Sequence, residues 1–207
     1  MKGLTGPLLA AALLLPVSAV AQEATVTANA GWSSEYLYRG IPQESSSASA
    51  GLDVALAGLY VGVWGADVGA GNEVDVYGGY SFEIAGLSVS VGGTGYFYTG
   101  DFDHTYLEAN LGAEVGPLSV EFSMGQYDTT PESLNYWFLG VTAEHRGLYT
   151  TMGSFGDGFD GEYLEAGYGF TASELDLTIG WIFSNADLVG SRDQTLVFGV
   201  SKTFEIR

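Results

Sequence analysis

The stretch Gly116-Pro117-Leu118-Ser119-Val120-Glu121-Phe122-Ser123-Met124-Gly125 decides the fold. A two-residue turn opens onto a leucine, and from there Leu118, Val120, Phe122 and Met124 alternate with Ser119, Glu121, Ser123 and Gly125. Successive side chains of a strand point to opposite faces, so strict alternation makes a strand with one apolar and one polar face. A helical period of 3.6 does not fit it.

The same unit recurs along the chain. Turn segments at Ala57-Gly58, Ala85-Gly86, Gly116-Pro117, Arg146-Gly147 and Ala172-Ser173 are each followed at once or nearly so by a leucine. These are Leu59, Leu87, Leu118, Leu148 and Leu175, spaced 28, 31, 30 and 27 residues apart. Two strands of about ten residues, one tight turn and one longer loop account for such a period, so the repeat is a hairpin. The strands between agree: Val74, Val76, Tyr80, Phe82 and Ile84 oppose Asp75, Tyr77, Gly79, Ser81 and Glu83. An opening strand over Ala24–Tyr38, its partner over Glu44–Leu56 and a closing strand over Gln194–Phe204 bring the count to twelve. The expectation is an all-β fold, a single 12-stranded antiparallel up-and-down transmembrane β-barrel with short periplasmic turns, occupying residues 22–207.

Residues 1–21 read as a signal peptide. Lys2 supplies the positive start, Pro7 to Val20 is apolar, and Ala19-Val20-Ala21 is a small-x-small cleavage site. Elsewhere glycines and charges interrupt every apolar stretch, so no spanning helix is expected. Without cysteine, no disulfides hold the exported chain together. Its 31 Gly, 13 Tyr and 11 Phe suit strands and tight turns.

Aromatic residues place the barrel in a membrane on this reading. One group lies at strand ends far from the tight turns: Trp32, Tyr36, Tyr38, Trp64, Tyr96, Tyr98, Tyr106, Tyr127, Tyr136, Trp137, Phe155, Tyr163, Trp181 and Phe183. A smaller group, Tyr60, Phe82, Tyr149 and Phe170, lies near them. Both are expected to form interfacial girdles. The outer segments, Gly69–Asn72, Thr99–His104, Asp128–Ser133, Asp157–Asp160 and Ala186–Asp193, are too short to fold in as a large plug.

Twenty-five acidic residues face 6 basic ones, a formal net charge of −19. Such a charge repels nucleic acid and anionic head groups. If the aliphatic faces meet lipid, Glu35, Asp53, Asp75, Glu83, Glu108, Glu114, Glu121, Glu144, Glu165 and Asp176 face inward as pore-lining residues. The matching bases are few, chiefly Arg39 and Lys202. Unpaired buried charges are costly, so a hydrated interior with weak cation preference is expected, although some of these acids can equally be rim residues. Inward glycines such as Gly62, Gly79, Gly125, Gly153, Gly167 and Gly180 either leave room for water or seat an aromatic neighbour. Arg39, four positions after Glu35, is a candidate constriction or anion contact, or a brace at the outer rim.

The segment Ser33-Ser34-Glu35-Tyr36-Leu37-Tyr38-Arg39-Gly40-Ile41-Pro42-Gln43 resembles the N-terminal signature of the TorF family of small bacterial outer-membrane porins, and Gly58-Leu59-Tyr60-Val61-Gly62-Val63-Trp64 looks like that family's second hairpin. The resemblance implies a porin-like role in the Gram-negative outer membrane. The ending Thr203-Phe204-Glu205-Ile206-Arg207 departs from the terminal aromatic with which barrels often finish.

An enzyme needs a nucleophile, a base and an orienting group within reach of one another. The two histidines, His104 in an outer loop and His145 beside a periplasmic turn, fall at opposite ends, so a lipase-like barrel is disfavoured. Asp157-Gly158-Phe159-Asp160-Gly161-Glu162 and Asp101-Phe102-Asp103-His104 lack the spacing of a calcium loop. No catalytic residue, cofactor or metal is expected. The expected function is an outer-membrane channel for passive diffusion of small hydrophilic solutes. Its expected partners are outer-membrane lipids, small hydrophilic solutes or cations, and the barrel-assembly machinery during biogenesis; a closed structural or adhesive barrel is the alternative.

Overall fold

The computed structural model describes residues 24–129 and 131–206; the leader expected over residues 1–21 lies outside them. Twelve strands follow in order: β1 (Thr25–Tyr38), β2 (Ile41–Leu56), β3 (Leu59–Asp67), β4 (Asn72–Ile84), β5 (Leu87–Tyr98), β6 (Tyr106–Val115), β7 (Leu118–Tyr127), β8 (Leu134–His145), β9 (Leu148–Asp157), β10 (Gly161–Ala172), β11 (Leu175–Ser184) and β12 (Asp193–Ile206). Each pairs antiparallel with its chain neighbours and β12 pairs with β1, so the sheet closes into the expected barrel. A short helix, α1 (Ala186–Val189), sits in the last loop.

The tight turns are local chemistry. Ala57-Gly58, Ala85-Gly86 and Arg146-Gly147 hold both central residues at positive φ, the type I′ geometry whose twist matches the strands it joins. The last such turn is Ser173-Glu174, one residue later than the sequence suggested. Glu174 accepts a hydrogen bond from Lys202 Nζ at 2.8 Å. That ammonium holds the Glu174 carboxyl below its ordinary range.

The β1–β2 connection belongs to the same class. Arg39 (φ 47°) and Gly40 (φ 80°) form a two-residue turn, so β2 begins at Ile41 and not at Glu44. Unlike the other turns, this one leaves the wall. β1 pairs with β12 only as far as Ser33↔Gly199, and β2 pairs with β3 only over Ser49–Leu56. Between Ser34 and Ser47 the two strands hold mainly each other. Ser46 takes a positive φ of 61°, and the β1–β2 register shifts between Tyr36 and Leu37. Bulges of this kind bend a strand pair and increase its twist, and here the bend carries the tip into the barrel. The five outer loops were expected to be too short to form a large plug; the element that enters the lumen is none of them but the β1–β2 hairpin, whose strands end at Tyr38 and resume at Ile41.

Large apolar side chains cover the outside. Leu59, Met124, Leu148 and Met152 are each about 60% exposed, at 60%, 59%, 64% and 65%. An apolar surface of this extent is compatible with hydrocarbon and not with water. The aromatic girdles need correction. Of the far group, Trp32, Trp137, Trp181 and Phe183 face outward, joined by Phe97; near the turns the outward rings are Tyr80, Phe82, Tyr168, Phe170 and Phe204. Tyr36, Tyr96, Tyr136, Tyr149, Phe155 and Tyr163 are buried, and with Tyr60 and Trp64 they share the parity of the inward glycines. They fill the lumen.

The glycines explain how. A methyl group at Gly125 would overlap the Tyr136 ring, one at Gly153 the Tyr163 ring, one at Gly62 the Tyr77 ring and one at Gly167 the Tyr149 hydroxyl. Inward tyrosines therefore lie flat across glycines of the adjacent strand, so these positions seat rings and do not leave room for water.

Replacing the outward Leu111, near the middle of β6, by arginine is expected to cost roughly 2–4 kcal/mol of folding into lipid, whereas Glu114→Arg at the turn end should cost far less. Urea titrations in lipid vesicles give both values.

Candidate functional site

The lumen has two unlike halves. Toward the tight turns the inward polar residues Asn29, Asp53, Tyr77, Thr94, Asn110, Thr142, Glu144 and Thr178 are only half-buried. Toward the loops the inward residues are buried, in two groups. One gathers Tyr136, Phe138, Phe155, Tyr163 and Ile182, against which Leu37 and Ile41 of the hairpin pack. The other gathers Tyr36, Ala66 and Val68, with Trp64 edge-on to Tyr36 at 5.8 Å.

Arg39 ties the hairpin to the opposite wall. Its Nη1 donates to Glu108 Oε1 at 2.6 Å, and its Nη2 donates to Glu108 Oε2 at 3.0 Å, Glu121 Oε1 at 2.5 Å and Ser123 Oγ at 3.2 Å. The guanidinium carbon lies 4.0 Å from the Phe138 ring centroid and 5.0 Å from that of Tyr38. A planar guanidinium is suited to this role because it grips a carboxylate through two bonds while offering a flat face to rings. Glu108 is equally committed. Besides Arg39 it accepts from Tyr136 Oη (2.7 Å), Tyr96 Oη (3.1 Å) and Asn110 Nδ2 (3.0 Å). Arg39 is 4% exposed, so it stands inside the barrel and not at the rim.

Gly40 completes the lock. A Cβ there would lie 2.6 Å from Tyr163 Cβ, and its carbonyl accepts from Ser184 Oγ at 2.6 Å. Positive φ and lack of space both require glycine.

The ten sequence-selected acids separate by depth. Asp75, Glu108 and Glu165 are buried inside the barrel; Asp53, Glu121, Glu144 and Asp176 are half-buried on its inner face; Glu83 and Glu114 are exposed at its turn end. Glu35 stands on the hairpin and accepts from Ser45 Oγ at 2.9 Å. The polar lumen was expected to be hydrated for want of bases; in the structure tyrosine hydroxyls act as donors to its carboxylates where bases are lacking. Tyr77 donates to Asp53, Tyr149 to Glu165 at 2.7 Å and Tyr36 to Glu73. Glu73, fully buried two residues before Asp75, was missed, although strand parity alone puts both on one face. Glu73 Oε2 and Asp75 Oδ1 have no hydrogen-bond partner among the described residues.

His104, in the loop before β6, lies tilted beside Tyr127, and His145 ends β8 at the opposite end of the barrel. Asp103 is engaged by the hydroxyls of Tyr106 and Tyr127, each at 2.8 Å. Among the described residues no three acidic, histidine or cysteine side chains gather as a metal site.

Comparison with known proteins gives a family. The model of a family described as bacterial protein of unknown function (Gcw_chp) matches residues 18–193. The chain belongs to that family. No curated protein matches it. Among solved structures, a chain from work on the in-meso crystallization of membrane proteins superposes with a TM-score of 0.61 at 9% identity, over 88% of this chain and 84% of the other, and shares the fold. Looser likenesses are the outer membrane protein Omp33 of Acinetobacter baumannii (TM-score 0.46, 12% identity, 90% of this chain and 100% of that one) and the outer membrane protein OpdK of Pseudomonas aeruginosa (0.43, 10%, 79% and 58%).

Removing one member of a buried ion pair strands the other. Arg39→Met is therefore expected to destabilise the folded protein by roughly 3–5 kcal/mol, and Glu108→Gln by a similar amount. The double variant should lose clearly less than their sum, and urea unfolding of all four proteins in a double-mutant cycle reads that coupling.

Proposed function

We propose that the protein is an outer-membrane channel of the porin kind, passing small hydrophilic solutes by passive diffusion with a weak preference for cations, and closed by the β1–β2 hairpin. The tight turns face the periplasm and the Arg39 lock closes the outer half. One observation carries this reading: the wall is a continuous hydrogen-bonded barrel, whereas the segment crossing its lumen is a hairpin tip that takes no part in that wall. A barrel that served only as structure would need no such separable element.

Size and charge support the same reading. Twelve strands lie between the eight that side chains fill and the sixteen of wide porins. With the hairpin displaced, Asp53, Asp75, Glu108, Glu121, Glu144, Glu165 and Asp176 would line the passage. An acidic lining favours cations, and salt screens that preference. The likeness of Ser33–Gln43 to the TorF-family signature supports the reading too, since that segment contains the Arg39-Gly40 tip. The reading is a non-enzymatic one, with the two histidines at opposite barrel ends.

Joining Tyr36 directly to Glu44 through an Asn-Gly turn removes the tip while keeping a good hairpin turn. In planar bilayers the unaltered protein should carry little current, and the shortened variant should conduct steadily. In a potassium chloride gradient its reversal potential should show cation preference that weakens as salt rises. A silent shortened variant that still folds would make the protein a closed barrel, and anion preference would contradict the acidic-lining account.

A further inference from the structure

A cavity of about 50 Å³ lies under the bent hairpin, between β1–β3 and β9–β12. Its walls carry two carboxylates, Glu35 and Glu165, and four aromatic rings, Tyr36, Trp64, Tyr149 and Tyr163. Glu165 lines the cavity and is 8% exposed; one of its oxygens, Oε1, accepts from Tyr149, and Oε2 makes no hydrogen bond among the described residues. Tyr163 is buried and its hydroxyl is unpartnered. The cavity's one base, Arg39, already directs both terminal nitrogens at Glu108, Glu121 and Ser123 on the opposite wall. What remains is a negatively charged, aromatic-walled space with an unused carboxylate oxygen.

We infer that this cavity binds a small organic cation of the alkylammonium class. The chemistry of the walls selects it. Aromatic faces attract a weakly hydrated cation, most strongly when it is desolvated, and quaternary ammonium groups are held in cages of such rings. The carboxylates neutralise its charge. A calcium ion would need six to eight oxygens, and here only two carboxylates, from separate strands, reach the space. Size agrees, since each water needs about 10–15 Å³ of such volume and the cavity therefore holds roughly three to five waters or a cation of similarly few heavy atoms. Thr178 and Ser49, both half-buried, line it toward the tight-turn half, the less buried side of the lumen.

The local glycines are consistent with a built site. Side chains at Gly167 or Gly180 would collide with the Tyr149 hydroxyl, and one at Gly180 would also crowd Glu165 Oε1 at 3.1 Å. These two glycines thus leave the space that the Tyr149–Glu165 pair occupies.

This site deepens the channel reading and rests on it for the claim that the bound cation is a permeant one; binding itself is read separately. Trp64 lines the cavity whereas Trp32, Trp137 and Trp181 face outward, so tetramethylammonium titrated into the folded protein in detergent at constant ionic strength should change tryptophan fluorescence saturably. Trp64→Phe should abolish the change, and Glu165→Gln should weaken binding by about tenfold or more. Glu35→Gln, at the half-buried cavity-lining carboxylate of the hairpin, serves as a second variant if Glu165→Gln does not fold, and should also weaken binding. An equal response to uncharged tert-butanol, or none that saturates, overturns the site. A protein that binds tetramethylammonium yet stays silent after hairpin shortening keeps the site and loses the channel; one that conducts without binding keeps the channel and loses the site.

Discussion

The buried guanidinium of Arg39 is the contact on which the closed barrel depends. Nothing in the backbone hydrogen bonding of the wall obliges the β1–β2 tip to enter the lumen, because between Ser34 and Ser47 the hairpin has left both β12 and β3. The inward position is held by side chains: two carboxylates, a hydroxyl and two aromatic faces around one cation, with Gly40 pressed on Tyr163 behind it. A charge buried this deeply is stable only while its partners stay in place. The same contact fixes the hairpin inside the barrel.

The rest of the interior is arranged around that requirement. Few bases are available, so tyrosine hydroxyls take over as donors to Glu108, Glu165, Glu73 and Asp53, and each ring needs a flat place to lie. Glycines on adjacent strands supply it. A barrel rich in both Gly and Tyr is in this sense one solution to one problem: filling the loop end of a twelve-stranded lumen more fully than its turn end. The asymmetry follows from where the rings fall along the strands and not from any separate domain.

The architecture was legible in the sequence because it is local. Period-two alternation, turn dipeptides and their spacing fix strand, face and connection within a few residues, and the strands are found where Leu59, Leu87, Leu118, Leu148 and Leu175 begin them. Strand parity puts Tyr96 and Tyr98 on the same face as Ser88, Ser90 and Thr94, and the error lay in counting every strand-end aromatic as a girdle residue. Parity would likewise have found Glu73 from Asp75. What parity could not give was the hairpin's departure from the wall. That depends on a positive φ at Ser46, on a register shift beside Leu37, and on partners for Arg39 that lie 69 and 82 residues further along the chain. Arg39 was recognisable as unusual among so many acids, but its depth was a long-range fact.

The central claim, that the tip sits inside the lumen and is held there by Arg39, is open to a direct measurement because the chain has no cysteine. A single thiol from Ile41→Cys, next to the tip, can be compared with one from the exposed Ser45→Cys for reaction with a charged, membrane-impermeant maleimide on protein folded in vesicles. The account predicts that the Ile41 site reacts at least about tenfold more slowly, and that adding Arg39→Ala brings it toward the Ser45 rate. Equal rates at the two sites with Arg39 intact would contradict it.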